Sequence, residues 1–215
     1  MSSEQDGASR IAGIYFRLGK ALGTDRMVVV GGSAMKLTCD PDRPSNDIDL
    51  ALPPRLLAGI SQARLVAYGF TGYYEDSRLL VALDKESGIE VEVSSKNCGN
   101  LNQKIGLPRY SEESPTVLGI SIDAVIDGGR LINVNGIGVR VPQPLHQLIM
   151  KYNLWLFRGD GKLKDQKDAN DIRKIVRFYY GDTGKLASHA DEIGRSCRAR
   201  GIDVFMIDIK AINNA

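Results

Sequence analysis

Histidine is almost missing from this sequence. His146 and His189 are the only two in 215 residues, and no Ser–His–Asp grouping can be built around either. Cysteine is nearly as scarce. Cys39, Cys98 and Cys197 are odd in number and far apart, which argues against a disulfide framework and against a zinc site and fits a reducing, cytoplasmic setting. No apolar run approaches the roughly 20 residues needed to span a bilayer, so no membrane partner is expected. The polar start MSSEQDGASR has no signal-peptide pattern. Charge of one sign is not in excess either. The 28 Lys and Arg face 26 Asp and Glu, a formal net charge of +2, too near neutral to imply nucleic-acid binding by itself. Gly-x-Gly-x-x-Gly is absent from GGSAMK, the one glycine turn that opens a helix, which disfavours a dinucleotide-binding fold.

What is present is an ordinary globular composition, 43% hydrophobic and 25% charged. The length suits one large domain, or one domain with a helical appendage. The charge is unevenly placed: between Lys151 and Arg200 there are 12 Lys and Arg against seven Asp and Glu. That surplus reads either as a face for an anionic partner or as a helical surface of solvated lysines.

Periodicity divides the chain into a mixed α/β part over 1–142 and a helical part over 143–215. Ile11, Ile14, Tyr15, Leu18 and Leu22 keep the spacing of an amphipathic helix. MVVV at 27–30 reads as a short buried strand that turns through Gly31, Gly32 and Ser33 into a helix. DIDLAL at 47–52 is the next strand, and Pro53-Pro54 opens a helix over 54–67. RLLVAL at 78–83 and IEVEV at 89–93 read as paired strands, and ISIDAVI at 120–126 as another. Asn135-Gly136, between alternating apolar residues, marks a hairpin. Beyond Pro144 the pattern is helical to about residue 200, with Ile172, Ile175, Val176 and Tyr179 on one stripe.

Two features carry chemistry. A strand running through Gly-Gly-Ser into a helix presents free backbone N–H groups at the positive end of the helix dipole, a site suited to phosphate. Asp47 and Asp49 are two apart on a strand and leave the same face, while Ile48 and Leu50 leave the other. Two ionised carboxylates so placed repel one another, and a hard divalent cation between them resolves the conflict. A solvated strand face is the alternative. Glu90 and Glu92 repeat the pattern, and if their strand lies beside 47–52 one of them completes a three-carboxylate cluster that can hold two Mg²⁺ ions.

With these residues in view, VVVGGSA, a 13-residue spacer, DIDL and a later acidic strand EVEV resemble the polymerase-β-type nucleotidyltransferase superfamily. RPSNDIDL, MKYNLWLFR and KDANDI are similar to the AbiEii-like toxin nucleotidyltransferases within it. The resemblance implies a nucleotidyltransferase-fold domain followed by a helical C-terminal segment, and an enzyme that moves a nucleoside monophosphate from an NTP such as ATP to a hydroxyl and releases pyrophosphate. It implies Gly31, Gly32, Ser33, Arg43 and Lys151 as nucleotide-binding residues. Asp47, Asp49 and Glu92 would bind two metal ions, Mg²⁺ or Mn²⁺, with Glu90 the alternative third acid, and Asp168 would act as base or positioning group. It implies tRNA or a protein as acceptor and a toxin role with an antitoxin partner. A small-molecule, antibiotic-type acceptor and an inactive nucleotide-binding module are the rival readings. Lys151 is expected to be exposed on its helix. Otherwise it is a surface lysine and Asp168 a helix-start acid. Arg158, seven residues on, shares the face of Lys151. His146 is expected to be structural and Trp155 to lie in the core, and Asn97, Asn100, Asn102 and Lys104 to form a polar loop.

Overall fold

In this computed structural model the described residues are 3–57, 60–76, 79–94, 116–117, 120–158 and 163–181. They fall into two compact units. The first holds the described residues through Ser94 together with Val125–Pro142; the second holds those from Thr116 to Ala124 and from Gln143 onward. The expected loop of Asn97, Asn100, Asn102 and Lys104, the helical residues past Gly181, His189, Cys98 and Cys197 lie outside the described residues.

The apolar stripe read in the N-terminal segment becomes the buried face of helix α1 (Ser3–Leu22), with Ile11, Ile14, Tyr15, Leu18 and Leu22 all in the core. The helix stops at Gly23, which takes φ +69°. The Gly23 N–H bonds to Lys20 O and the Thr24 N–H to Gly19 O, the paired bonds by which a left-handed glycine closes a helix. Strand β1 (Val28–Val30) follows and runs without a loop into α2 (Gly31–Thr38).

A five-stranded sheet organises the first unit. It contains β1, β2 (Asp47–Ala51), β3 (Phe70–Asp76), β4 (Leu79–Asp84) and β5 (Glu90–Ser94), in the spatial order β1-β2-β5-β4-β3. Only β2 and β5 run parallel; the other neighbours are antiparallel. A parallel pair needs a long connection, and here α3 (Pro54–Leu57), α4 (Gln62–Ala67) and the β3–β4 hairpin supply it. One sheet face is apolar. Ile48, Leu50, Val91 and Val93 are buried in a core shared with α1 and with β9 of a hairpin formed by β8 (Arg130–Val134) and β9 (Ile137–Val141). Asn135 at φ 51° and Gly136 at φ 84° turn that hairpin, the left-handed pair that Asn-Gly accommodates.

Three expectations are corrected. The single helix over 54–67 is two short helices, and the second restarts where the Ser61 side chain accepts the Arg64 N–H. Phe70–Asp76 is a strand that sequence pattern missed. It lacks clean alternation, and Gly72 sits where a Cβ would stand 2.8 Å from Val81 O, so the two strands approach closely. The strand over 120–126 is only β7 (Ile120–Ser121), paired with β6 (Thr116–Val117), and the chain then enters α5 (Ile122–Asp127). Ile122, Val125 and Ile126 are buried at i, i+3 and i+4, so the helical period overrides the brief alternation of Ile120 and Ile122. In the second unit, α6 (Pro144–Arg158) packs on α7 (Leu163–Tyr180). Leu148, Ile149 and Tyr152 of one helix, and Ile172, Ile175 and Val176 of the other, are buried. No helix is long and apolar enough to cross a membrane among the described residues.

Arg17 fastens α1 to the turn between β4 and β5. Its Nη1 donates to Asp84 Oδ1 at 2.7 Å, and its guanidinium lies 5.2 Å from the centre of the Phe70 ring. Asp84 is fully buried and also accepts from Ser87 N and Ser87 Oγ, the latter at 2.6 Å. Burial alone would raise the Asp84 pKa. The bonds from Arg17 and Ser87 and the charge of Arg17 outweigh it, and the net shift is downward. A carboxylate with a depressed folded-state pKa contributes stability that is complete above its unfolded value of about 3.9 and is lost as pH falls through the folded value. Asp84→Asn should therefore cost about 2–4 kcal/mol near neutrality. Acid titration of unfolding should show the wild-type advantage over this variant shrinking below about pH 4.

Candidate active site

The carboxylates fall where the alternation of DIDLA and EVEVS requires. In the parallel register Asp47 stands beside Glu90 and Asp49 beside Glu92. All four leave the sheet face opposite Ile48, Leu50, Val91 and Val93. Asp49 is half-buried; Asp47, Glu90 and Glu92 are exposed. Both candidate third acids thus have an aspartate for a neighbour, and Glu92 is paired with the more enclosed one.

Each residue of Gly31-Gly32-Ser33 is explained by what lies against it. Gly31 takes φ +63°, and a Cβ there would run into the Asp49 carboxylate. Gly32 is bare where a Cβ would meet Ser45 Oγ at 3.1 Å and Arg43 Nη1 at 3.4 Å. Ser33 is fully buried, and its hydroxyl donates to Asp47 O at 2.9 Å. Ser45 Oγ donates to the same carbonyl at 2.9 Å. Two hydroxyls on one carbonyl tie the first turn of α2 to the first residue of β2. The N-cap residue, Val30, makes no side-chain hydrogen bond, and the first turn of the helix holds no acid; Asp49 stands against Gly31 at this positive end of the helix dipole.

Arg43 is buried, with its guanidinium over Gly32 and Nη1 donating to Pro44 O at 3.4 Å. Lys36 Nζ donates to Arg43 O at 3.3 Å. A polar cavity of about 220 Å³ opens beside Asp47, with Arg10, Ser33, Lys36 and Ser45 in its wall. Sequence reading gave Arg10, Lys36 and Ser45 no role. Ser45 had a signal, since it falls within the quoted RPSNDIDL. Arg10 and Lys36 had none, because only the packing of α1 on α2 brings them there.

The donor set suits a hard cation: oxygen ligands only, on two hydrogen-bonded strands, with one carboxylate held over a glycine that leaves room for it. In the arrangement shown no three acidic, His or Cys side chains converge on a single point among the described residues. A bound divalent ion would therefore draw in carboxylates that the register already places side by side.

Lys151 and Asp168 belong to the second unit, where the expectation of an exposed Lys151 is overturned. Its side chain is 7% exposed, and Nζ lies 2.7 Å from Asp171 Oδ2 and 3.5 Å from Asp168 Oδ1. Both aspartates are buried as well. They sit three apart on α7 and so share a face, a signal that KDANDI contained. Arg158 lies in α6, but its side chain is outside what is described. His146 is buried with Nε2 2.6 Å from Gln143 Nε2, as a structural residue would be. Trp155, expected in the core, is only half-buried, with its ring centre 5.8 Å from that of Tyr152.

No protein-family profile and no curated protein matches the chain. Solved structures do. An antigenic nucleotidyltransferase-like protein from Paracoccidioides brasiliensis aligns at TM-score 0.52 with 18% identity over 95% of each chain. The antibiotic-resistance factor ANT(2'')-Ia aligns in its solution structure at TM-score 0.51 with 14% identity, over 89% of this chain and 92% of its own. Its crystal structure in complex with adenylyl-2''-tobramycin aligns at TM-score 0.50 with 15% identity, over 89% and 98%. At these identities the likeness concerns the fold alone, a mixed five-stranded sheet with helices.

Two outcomes test the geometry without any substrate. Gly31→Ala should cost about 2–3 kcal/mol in urea unfolding, from strain at positive φ and crowding of Asp49. In an Asp49→Ala background the cost should fall to about 1 kcal/mol, the share left by backbone strain alone. Lys151→Ala, which removes the ammonium 2.7 Å from Asp171 and 3.5 Å from Asp168, should cost about 3–5 kcal/mol by the same measurement.

Proposed function

We propose that this chain is a metal-dependent nucleotidyltransferase that moves a nucleoside monophosphate from an NTP, ATP among them, to a hydroxyl acceptor. The observation that carries the reading is the pairing of Asp49 with Glu92, and of Asp47 with Glu90, beside the N-terminus of α2. The acceptor oxygen would bond to the α-phosphorus, the bond from that phosphorus to its bridging oxygen would break, and pyrophosphate would leave.

Asp47, Asp49 and Glu92 would hold two Mg²⁺ ions, or Mn²⁺, which when bound supply Lewis-acid stabilisation of the attacking and leaving oxygens. Glu90, one pair further along the ladder, is the alternative third acid. Backbone N–H groups at Gly31, Gly32 and Ser33 would take phosphate oxygens, as the start of a helix does for an anion. The Ser33 hydroxyl is committed to Asp47 O, so its share is to hold Asp47 in place. Arg43, packed on Gly32, adds a guanidinium. The reading rests on the first unit alone; Lys151 and Asp168 carry no step in it.

Two acceptor classes have separate support. The basic surplus between Lys151 and Arg200 favours an anionic macromolecule such as tRNA. A protein acceptor, and a toxin role with an antitoxin partner, belong to the same branch of the reading. The likeness to ANT(2'')-Ia, solved with adenylyl-2''-tobramycin, favours a small hydroxylated molecule. Incubation with each α-labelled NTP and Mg²⁺, together with total RNA, cell protein or tobramycin, shows which of them takes up label. Asp47→Asn, Asp49→Asn and Glu92→Gln should each reduce labelling by about a hundredfold or more while the protein stays folded, the scale of loss for a group that stabilises transition-state charge. Glu90→Gln should reduce it much less. Full transfer by the Asp47 or Asp49 variant would refute the reading.

A further inference from the structure

A cavity of about 650 Å³ in the first unit shares no wall residue with the cleft at Asp47. It lies at the other end of β1. That strand leaves the Asp25–Met27 side of the cavity at Val28 and reaches Gly31 after three residues, a span of about 10 Å. Its volume falls within the roughly 300–1,000 Å³ usual for small-molecule sites.

The lining combines three kinds of group. Phe16 is 50% exposed and Tyr68 37% exposed, so two aromatic rings stand at the wall with free area. Lys20 and Arg64 bring two cations. Lys20 Nζ lies 5.4 Å from the centre of the Phe16 ring, and Arg64 Nη2 donates to Lys20 O at 3.1 Å. That single bond orients the guanidinium and leaves its other N–H groups to donate elsewhere. Among the described residues neither cation has an acidic partner. Gly23 makes this arrangement fit: a Cβ there would stand 2.9 Å from Arg64 Nη2. The third kind of group is an acid, Asp25.

We propose that this cavity binds a nucleotide unit, an aromatic base carrying a sugar and a phosphate, at a second site separate from the carboxylate cluster. Lys20 and Arg64 take the phosphate, by charge-assisted hydrogen bonds that an arginine fork suits. Phe16 and Tyr68 offer ring faces for the base. Asp25 accepts from a ribose hydroxyl or a base amino group. Other ligand classes use the lining less well. A simple inorganic anion leaves both rings idle, a neutral aromatic leaves two cations unmatched, and an acyl chain sets Asp25 against hydrocarbon. The nucleotide unit can come free or as part of a single-stranded RNA.

Titration calorimetry of the full chain in EDTA tests this, with AMP, inorganic phosphate and a short oligoadenylate as probes, in an Asp47→Asn/Asp49→Asn background. AMP should bind, and at least about tenfold more tightly than phosphate, because stacking adds to the ionic contact. Arg64→Ala, Lys20→Ala and Phe16→Ala should each weaken AMP by about tenfold, with melting temperature little changed since these side chains are on the surface. Tighter binding of oligoadenylate with steep salt dependence would identify RNA as the source; equal or weaker binding would identify the free nucleotide. No AMP binding, equal affinity for AMP and phosphate, or affinity unchanged by Arg64→Ala and Phe16→Ala would overturn the proposal. Because the carboxylates are already replaced and metal removed, none of these results depends on whether the chain transfers nucleotides.

Discussion

The pairing of β2 with β5 is the constraint on which the rest of the first unit depends. It is the only parallel contact in the sheet, and it alone brings DIDLA beside EVEVS. A slip of one residue along that ladder would turn Glu90 and Glu92 into the core and Val91 and Val93 out to solvent. The apolar residues therefore fix the position of the charged ones. Burial of Ile48, Leu50, Val91 and Val93 in the core holds four carboxylates in a row that their mutual repulsion would otherwise spread apart.

The short second element is what turns that row into a site. With no loop between β1 and α2, the first helical residue is the one that follows the strand. Val30 pairs with Asp49, so the start of α2 arrives beside the carboxylate with no freedom to choose another place. Gly31 gives the backbone its left-handed turn and the carboxylate its room. Gly32 makes room for Arg43 and Ser45. Each glycine thus answers to a different neighbour.

Legibility followed the range of the interaction that decides each element. α1, the Asn135-Gly136 hairpin and the acidic strands were readable because their periodicity or turn chemistry is local. β3 was not, since Gly72 and the close approach of Val81 depend on a partner strand. The α3–α4 break was half visible, in Ser61 as a cap. At the candidate site, the placement of Asp47 and Asp49 on one strand face, and of Gly31 and Gly32 at the turn, could be read from type and spacing. Glu92 could not be separated from Glu90, because both lie on one face and the register gives each an aspartate. The burial of Lys151 was missed because a lysine on an amphipathic helix reads as a surface residue until its partners on the next helix are known. Asp168 and Asp171 supply the reason it is not one.

The topology also dictates an order of events as the chain folds. β3, β4 and β5 form a run of sequence neighbours with short connections, and β1 pairs with the strand next after it. These contacts close small loops and cost little chain entropy. β2 and β5 are separated by Leu52 through Ile89, so their ladder closes the longest loop in the sheet and should form late. It is also the step that pushes like charges together. The slow step of assembly and the electrostatically costly step coincide. A chain stalled before this step would present two half-sheets with exposed edges and no acidic row.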